Sequence, residues 1–196
     1  MAELTENARK RIPAEALTAR SPVIAAVRSE ESFEAALASP AETVFLLSST
    51  ISRLGHCAQR AKESGKYLFV HADLAEGLGK DREGINYLAS LGVSGMISTR
   101  AQLIRDAKDA GLCTVQRFFI VDSHSVETAA ESIKLSRPDM IEVMPGIAPR
   151  IISKMRSITR VPIIAGGLIE SKEEIISALN VGADAVSTSI PLLWEI

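Results

Sequence analysis

The chain is short of the residues that metal, redox and strand-stacking chemistry draw on. It has two cysteines, Cys57 and Cys113, far apart and with no CxxC spacing. That leaves no thiolate metal knuckle and no disulfide framework, and predicts two buried, reduced thiols in a cytoplasmic protein. No HExxH, no Cys/His cluster, no GxSxG elbow and no Walker motif occurs, so no metal, acyl-transfer or nucleotide signature is present. Aromatic residues are only 4% of the chain, and Tyr67, Tyr87 and Trp194 do not interleave with basic residues. A base-stacking platform for single strands is therefore not encoded. Nor is there an excess of positive charge: 22 Lys and Arg stand against 24 Asp and Glu, a net charge of −2. Any nucleic-acid contact must use a local patch. No apolar run approaches the roughly 18 residues of a membrane span. Residues 1–20 carry Arg9, Lys10, Arg11 and Arg20 but no apolar core. They do not read as a secretory signal, and are expected to form a helix closing the bottom of the domain, or an arm.

What the chain does have is alternation. Eight short apolar runs recur: Pro22–Val27, Thr43–Leu47, Tyr67–Ala72, Gly95–Ser98, Cys113–Phe119, Met140–Val143, Val161–Ala165 and Ala185–Ser187. They are nearly continuous in apolar character, as suits strands covered on both faces. Between them lie helical stripes, such as Ile51, Leu54, Ala58 and Ala61, or Ile147, Ile151, Met155 and Ile158. Ser171 with Glu174 predicts a capping box, and Gly92, Gly111 and Gly182 predict helix stops. Eight strand–helix alternations predict an α/β fold, a compact (β/α)8 barrel spanning 21–196 as one domain. With 196 residues the barrel must be trimmed, since such folds usually take about 250. An open doubly wound sheet is the alternative if one or two strands are miscounted. Gly92–Thr99 and Gly182–Ser189 echo each other 90 residues apart, the pattern a half-barrel repeat would leave.

In such a barrel the loops at the strand C-termini form the functional face, and those after strands seven and eight are the usual phosphate site. Gly166-Gly167 follows the seventh run, where the backbone can approach a ligand without a Cβ in the way. Ser187, Thr188 and Ser189 follow the eighth and are expected to open a short final helix, Pro191–Ile196, whose free N–H groups suit a phosphate dianion. Alone, either motif is a tight turn or a helix cap; together, at adjacent strands, they predict a phosphate cradle. His71 and Asp73, two apart at the end of the third run, would face the same way. They suit either a polyol clamp or a structural pair sealing the barrel top. One of Gln116 and Arg117 must point into the barrel, where a buried arginine needs a partner, and Glu142 on the next strand is the candidate. Arg28 ends the first run and can reach the mouth. The Gly-rich segment Ala75–Asp81 is expected as a lid; it lacks a dinucleotide fingerprint. Basic residues gather at Arg150, Lys154, Arg156 and Arg160, and again at Arg100, Arg105 and Lys108; both groups read as ordinary solvated helix faces.

Several of these segments together resemble one family, the glycerol-3-phosphate-responsive antiterminators, regulators of bacterial glycerol-uptake operons. The residues are Pro22–Val27, Phe69–Leu74 with Glu76-Gly77-Leu78, Met96–Thr99, Val115–Phe119, Ile141–Gly146 and Pro162–Leu168, and the likeness runs from about Arg11 to Trp194. The resemblance implies a phosphate-binding barrel that senses glycerol 3-phosphate, with no further cofactor, and binds leader mRNA so that transcription passes a terminator. By resemblance Gly166, Gly167, Ser187 and Thr188 would hold the phosphate. The glycerol end is assigned to Arg28, His71, Asp73, Arg117 and Glu142 from strand position alone.

Two other readings remain open. A small phosphosugar or phosphoglycerol enzyme could use the same face, although no lysine is placed for a Schiff base: Lys66 begins the third strand and Lys80 lies in the loop beyond it. A homodimer using the barrel only as a scaffold is the other.

Overall fold

The computed structural model describes residues 21–196, so the expected bottom helix or arm at 1–20 lies outside the described residues. The chain alternates β1 (Val23–Val27), α1 (Glu30–Ala38), β2 (Thr43–Leu46), α2 (Ile51–Glu63), β3 (Tyr67–His71), α3 (Arg82–Ser90), β4 (Gly95–Ser98) and α4 (Ala101–Asp109). It continues through β5 (Cys113–Phe119), α5 (Ser123–Ser136), β6 (Met140–Met144), α6 (Pro149–Ile158), β7 (Ile163–Gly166), α7 (Lys172–Asn180) and β8 (Ala185–Thr188). A 3₁₀ turn, Pro191–Glu195, ends it. Each strand pairs in parallel with its neighbours, and β8 pairs with β1 through Val23↔Val186 and Ala25↔Thr188. That last ladder closes the barrel and excludes the open sheet. No described helix is long and apolar enough to cross a membrane.

Alternation along the strands makes two cores. One set of residues, including Ile24, Phe45, Phe69, Ile97, Val115 and Ile164, fills the barrel interior. The other, including Val44, Val70, Met96 and Ile141, packs outward against the helices. Both faces of every strand are therefore apolar, the reason the runs look continuous in sequence. Cys57 and Cys113 are buried, one in each layer.

Side chains at the strand starts hold the barrel's lower rim in register. Ser94 Oγ accepts from Leu68 N–H, Asp139 Oδ2 from Thr114 N–H, and Asp184 Oδ2 from Ile163 N–H. These three positions recur every 45 residues and each ties an even strand to the odd strand before it. Ser94 and Asp184 sit at matching positions of the Gly92–Thr99 and Gly182–Ser189 segments, so the echo has one structural role in both halves. The Ser171–Glu174 capping box forms as expected, Ser171 Oγ accepting from Glu174 N–H at 3.2 Å. Such a cap stabilises a helix by about 1 kcal/mol.

Four expectations need correction. The strand ends shift by one or two residues, and β8 runs on through Thr188. Ser187 and Thr188 are therefore strand residues and do not open a helix. The final element is a single 3₁₀ turn that starts at Pro191, where proline supplies no N–H, so it offers no N-terminal anion site. Asp73 lies in a 3₁₀ turn, Ala72–Leu74, beyond the end of β3, so strand alternation does not set its direction. The Gly-rich segment is pinned and is not a lid. Ala75–Glu76 pairs in parallel with Ser49–Thr50, Lys80 Nζ donates to the Ala72 and Ala75 carbonyls, and Leu78 is buried.

Candidate functional site

The barrel mouth holds a cavity of about 430 Å³. Its polar wall brings together Arg28, Arg117, Glu142, Gly167, Ser187 and Ser189. These come from the ends of β1, β5, β6, β7 and β8.

Arg117 is the inward residue of the Gln116-Arg117 pair. Gln116 turns outward and is held by Ser132 and Ser136 of α5. Arg117 Nε donates to Glu142 Oε2 at 2.6 Å, and Ser187 Oγ donates to Glu142 Oε1 at 2.7 Å. Both carboxylate oxygens are thus used, and Arg117, Glu142 and Ser187 form one buried chain across β5, β6 and β8. Arg117 Nη2 is buried and has no hydrogen-bond partner. An orphaned guanidinium donor is costly, and a ligand oxygen arriving from the cavity would satisfy it. Arg28 stands exposed on the same wall and makes no side-chain ion pair among the described residues.

Gly166 and Gly167 do different jobs. A Cβ on Gly166 would lie 2.4 Å from Glu142 Oε1 and 2.7 Å from Ser187 Oγ. Glycine is needed there so that the Ser187–Glu142 hydrogen bond can pass over the strand end. Gly166 does not border the cavity; Gly167 does. Gly167 and Leu168 have φ of 82° and 63°, and the second is uncommon for a branched side chain. The strained turn carries backbone along the cavity wall while Leu168 stays 66% exposed. Gly146 N–H donates to the carbonyls of Gly166 and Gly167, stitching the loop after β6 to this turn. Thr188 Oγ1 donates to the Ile169 carbonyl, and the Thr188 carbonyl accepts from Trp194 Nε1. Of the three hydroxyls expected in a cradle, only that of Ser189 has no partner among the described residues.

His71 and Asp73 stand apart from the cavity wall. His71 is 4% exposed, and its Nδ1 has no hydrogen-bond partner, with Asp73 Oδ2 3.9 Å away. Burial foremost, then the positive charge of Arg117, pushes its pKa down to about 4. Asp73 accepts from Thr99 N–H at 2.8 Å and from Ser98 Oγ, and meets Arg100 Nε at 3.4 Å. It shapes the turn from β4 into α4. The lysines are elsewhere: Lys66 donates to the Ser39 and Ala41 carbonyls, and Lys80 is held as described.

Phe119, Val121 and Leu168, on the apolar part of the wall, were missed in the sequence. Phe119 is 59% and Val121 84% exposed. The signal was there, because 117, 119 and 121 continue the inward-facing series of β5 past its end.

A closed parallel barrel with a small mouth, an unsatisfied arginine donor and a strained glycine turn defines the class: a (β/α)8 barrel with its candidate site at the strand ends. The comparisons specify it further. Residues 23–194 match the family model described as glycerol-3-phosphate responsive antiterminator, and the chain belongs to that family. It is 34% identical to the Escherichia coli (strain K12) protein YgcP, itself uncharacterized, over 92% of this chain and 95% of that one. Among solved structures, a glycerol uptake operon antiterminator regulatory protein from Listeria monocytogenes is 34% identical with a TM-score of 0.85, covering 88% of this chain and 94% of that one. A glycerol uptake operon antiterminator-related protein from Thermotoga maritima is 35% identical with a TM-score of 0.79, covering 89% and 98%. Aldolases at 12–17% identity share the fold alone.

Proposed function

We propose that this chain is a sensor of glycerol 3-phosphate that acts as a transcription antiterminator on leader mRNA. The phosphate takes the free donors at the mouth: Arg117 Nη2, the Arg28 guanidinium and the Ser189 hydroxyl, beside the Gly167-Leu168 turn. The buried Arg117, a residue of the cavity wall with one unmade hydrogen bond, carries the reading, since an unpaired guanidinium donor favours an anionic oxygen. The glycerol hydroxyls then lie toward Glu142 and Ser187. His71 and Asp73 take no part in ligand contact and support Arg117 and the β4–α4 turn.

Family membership favours regulation over catalysis. So does the site: no described lysine borders the cavity for a Schiff base, and both oxygens of Glu142 are engaged. Ligand alters RNA affinity only by preferring one state of the protein. A thermal-shift panel of small phosphates, followed by RNA binding with and without the best compound, tests this. Glycerol 3-phosphate should raise both the melting temperature and the RNA affinity. Turnover of any phosphate in the panel would instead establish an enzyme.

A further inference from the structure

Between Glu142 and Glu170 the sequence carries four cations, Arg150, Lys154, Arg156 and Arg160, and not one acidic residue. In a chain of net charge −2 this is the local positive patch that RNA binding would need. Three arginines on α2 and α3 stand against carboxylates. Arg53 pairs with Glu30 and Arg60 with Glu34, both at 2.6 Å, and Arg82 meets Asp109 at 3.4 Å. On α6 only Arg156 is engaged, by Asp184 and the Gly182 carbonyl. Arg150 and Lys154 on α6, and Arg160 two residues past its end, are exposed, and among the described residues their side chains make no ion pair or hydrogen bond. Arg150 and Lys154 lie one helical turn apart, about 6 Å along the axis. The exposed hydroxyls of Ser153 and Ser157 share their face.

Beside this strip α5 and α6 part to leave a groove of about 560 Å³. Its floor is apolar, with Ile120, Val126, Ile151 and Ile158, and Arg150 and Lys154 form one bank. Asp122 and Glu127 stand on the other bank. Asp122 is occupied in capping α5, accepting from Ser125 N–H at 2.8 Å. A single strand fits this asymmetry, with phosphates along the α6 cations and base faces over the aliphatic floor. Val121 borders both this groove and the mouth cavity. It belongs to the short loop that joins β5, which holds Arg117, to the N-terminus of α5.

We propose that the α6 cation strip with the α5–α6 groove is the RNA-docking surface, and that the Phe119–Asp122 loop carries the occupancy of the mouth to it. The proposal rests on the antiterminator reading above and names the surface which that reading leaves open.

The test uses the full chain and a labelled single-stranded RNA pool of randomised sequence, titrated over a range of salt with and without glycerol 3-phosphate. The triple variant Arg150→Glu/Lys154→Glu/Arg160→Glu removes three phosphate contacts. Counterion release then predicts affinity lower by about a hundredfold at about 0.1 M salt, and a log–log salt slope shallower by about 2. Its thermal response to glycerol 3-phosphate should stay, and the control Arg82→Glu should bind RNA as wild type does. If the triple variant unfolds, the milder Arg150→Gln/Lys154→Gln pair replaces it, with a slope shallower by about 1.4. Undiminished RNA binding in a folded variant overturns the docking surface and leaves the sensor reading standing. A changed oligomeric state with RNA affinity unchanged overturns it in favour of a second copy seated on α6. Wild type that binds no RNA under any condition overturns both readings. In Val121→Ser the ratio of RNA affinities with and without glycerol 3-phosphate should fall toward one; an undiminished ratio overturns the role of the loop.

Discussion

Arg117 and Glu142 face each other at matched register on β5 and β6, joined Nε to Oε2 at 2.6 Å, with Arg117 4% exposed and Glu142 fully buried. The pair is held inside the barrel at the foot of the mouth cavity, and Arg117 Nη2 has no hydrogen-bond partner. Two charges in an apolar barrel are stable only together, and removing one strands the other. Glu142→Gln should therefore cost about 3 kcal/mol. Arg117→Met/Glu142→Gln, with both charges gone, should recover much of that loss. Urea unfolding of the two single variants and the double measures the coupling. Additive losses would show that the pair does not act as a unit.

Gly166→Ala should destabilise the barrel by about 1–3 kcal/mol, because the new methyl meets Glu142 Oε1 and Ser187 Oγ inside contact distance. Gly167→Ala meets only Met144 Cε at 3.3 Å but must hold φ near 82°. It should cost about 1 kcal/mol. Denaturation midpoints rank the two. The same ranking tests the division of labour between the glycines, with Gly166 serving the core and Gly167 the cavity wall.

The barrel was legible because its cause is local and repeated: eight runs apolar on both faces, with caps and stops between them. Arg117 was legible for a similar reason, since alternation along β5 lets only one of Gln116 and Arg117 point inward, and Glu142 lies on the adjacent strand. What the sequence did not show has a different cause. Gly166 looked like an opening for ligand because sequence does not show that a hydrogen bond from β8 to β6 passes over it. Thr188 looked like a phosphate donor until the Ile169 carbonyl, 19 residues earlier, was found to take its proton. Asp73 looked like a partner of His71 in the mouth, but β3 ends at His71 and the turn aims Asp73 at β4. Each point turns on contacts made by residues distant in sequence. The cation strip on α6 had the opposite history. Its charges were plain in sequence, and the structure added that Arg150 and Lys154 on the helix, and Arg160 just past it, make no ion pair among the described residues.

Arg117→Lys keeps a positive charge beside Glu142 but replaces the planar fork by a point charge. Most of the stability should remain, while affinity for glycerol 3-phosphate falls by about tenfold or more, as for the loss of one charge-assisted hydrogen bond. Arg28→Gln, at an exposed position, should leave stability within about 0.5 kcal/mol. It should weaken the same ligand by about tenfold, and more at low salt than at high salt. Isothermal titration of both variants decides it. Unchanged affinity in both would remove the phosphate from this wall of the mouth.

His71 supplies a pH signature. The folded protein holds its imidazole neutral, with the pKa pushed down from 6.5 to about 4 by burial first and by Arg117 next, against a smaller opposing pull from Asp73. An unfolded chain accepts that proton near 6.5 and the folded one refuses it until about 4. The contribution is therefore complete above about pH 6.5, declines as the pH falls toward 4, and stays level below. Over that window it amounts to at most about 3 kcal/mol. In His71→Gln the part of the slope due to this group should vanish, so that wild type and variant converge in stability as the solution is acidified. Urea midpoints of the two proteins across the window measure the difference. Parallel curves would mean that another group titrates there, and that His71 already carries its proton when folded.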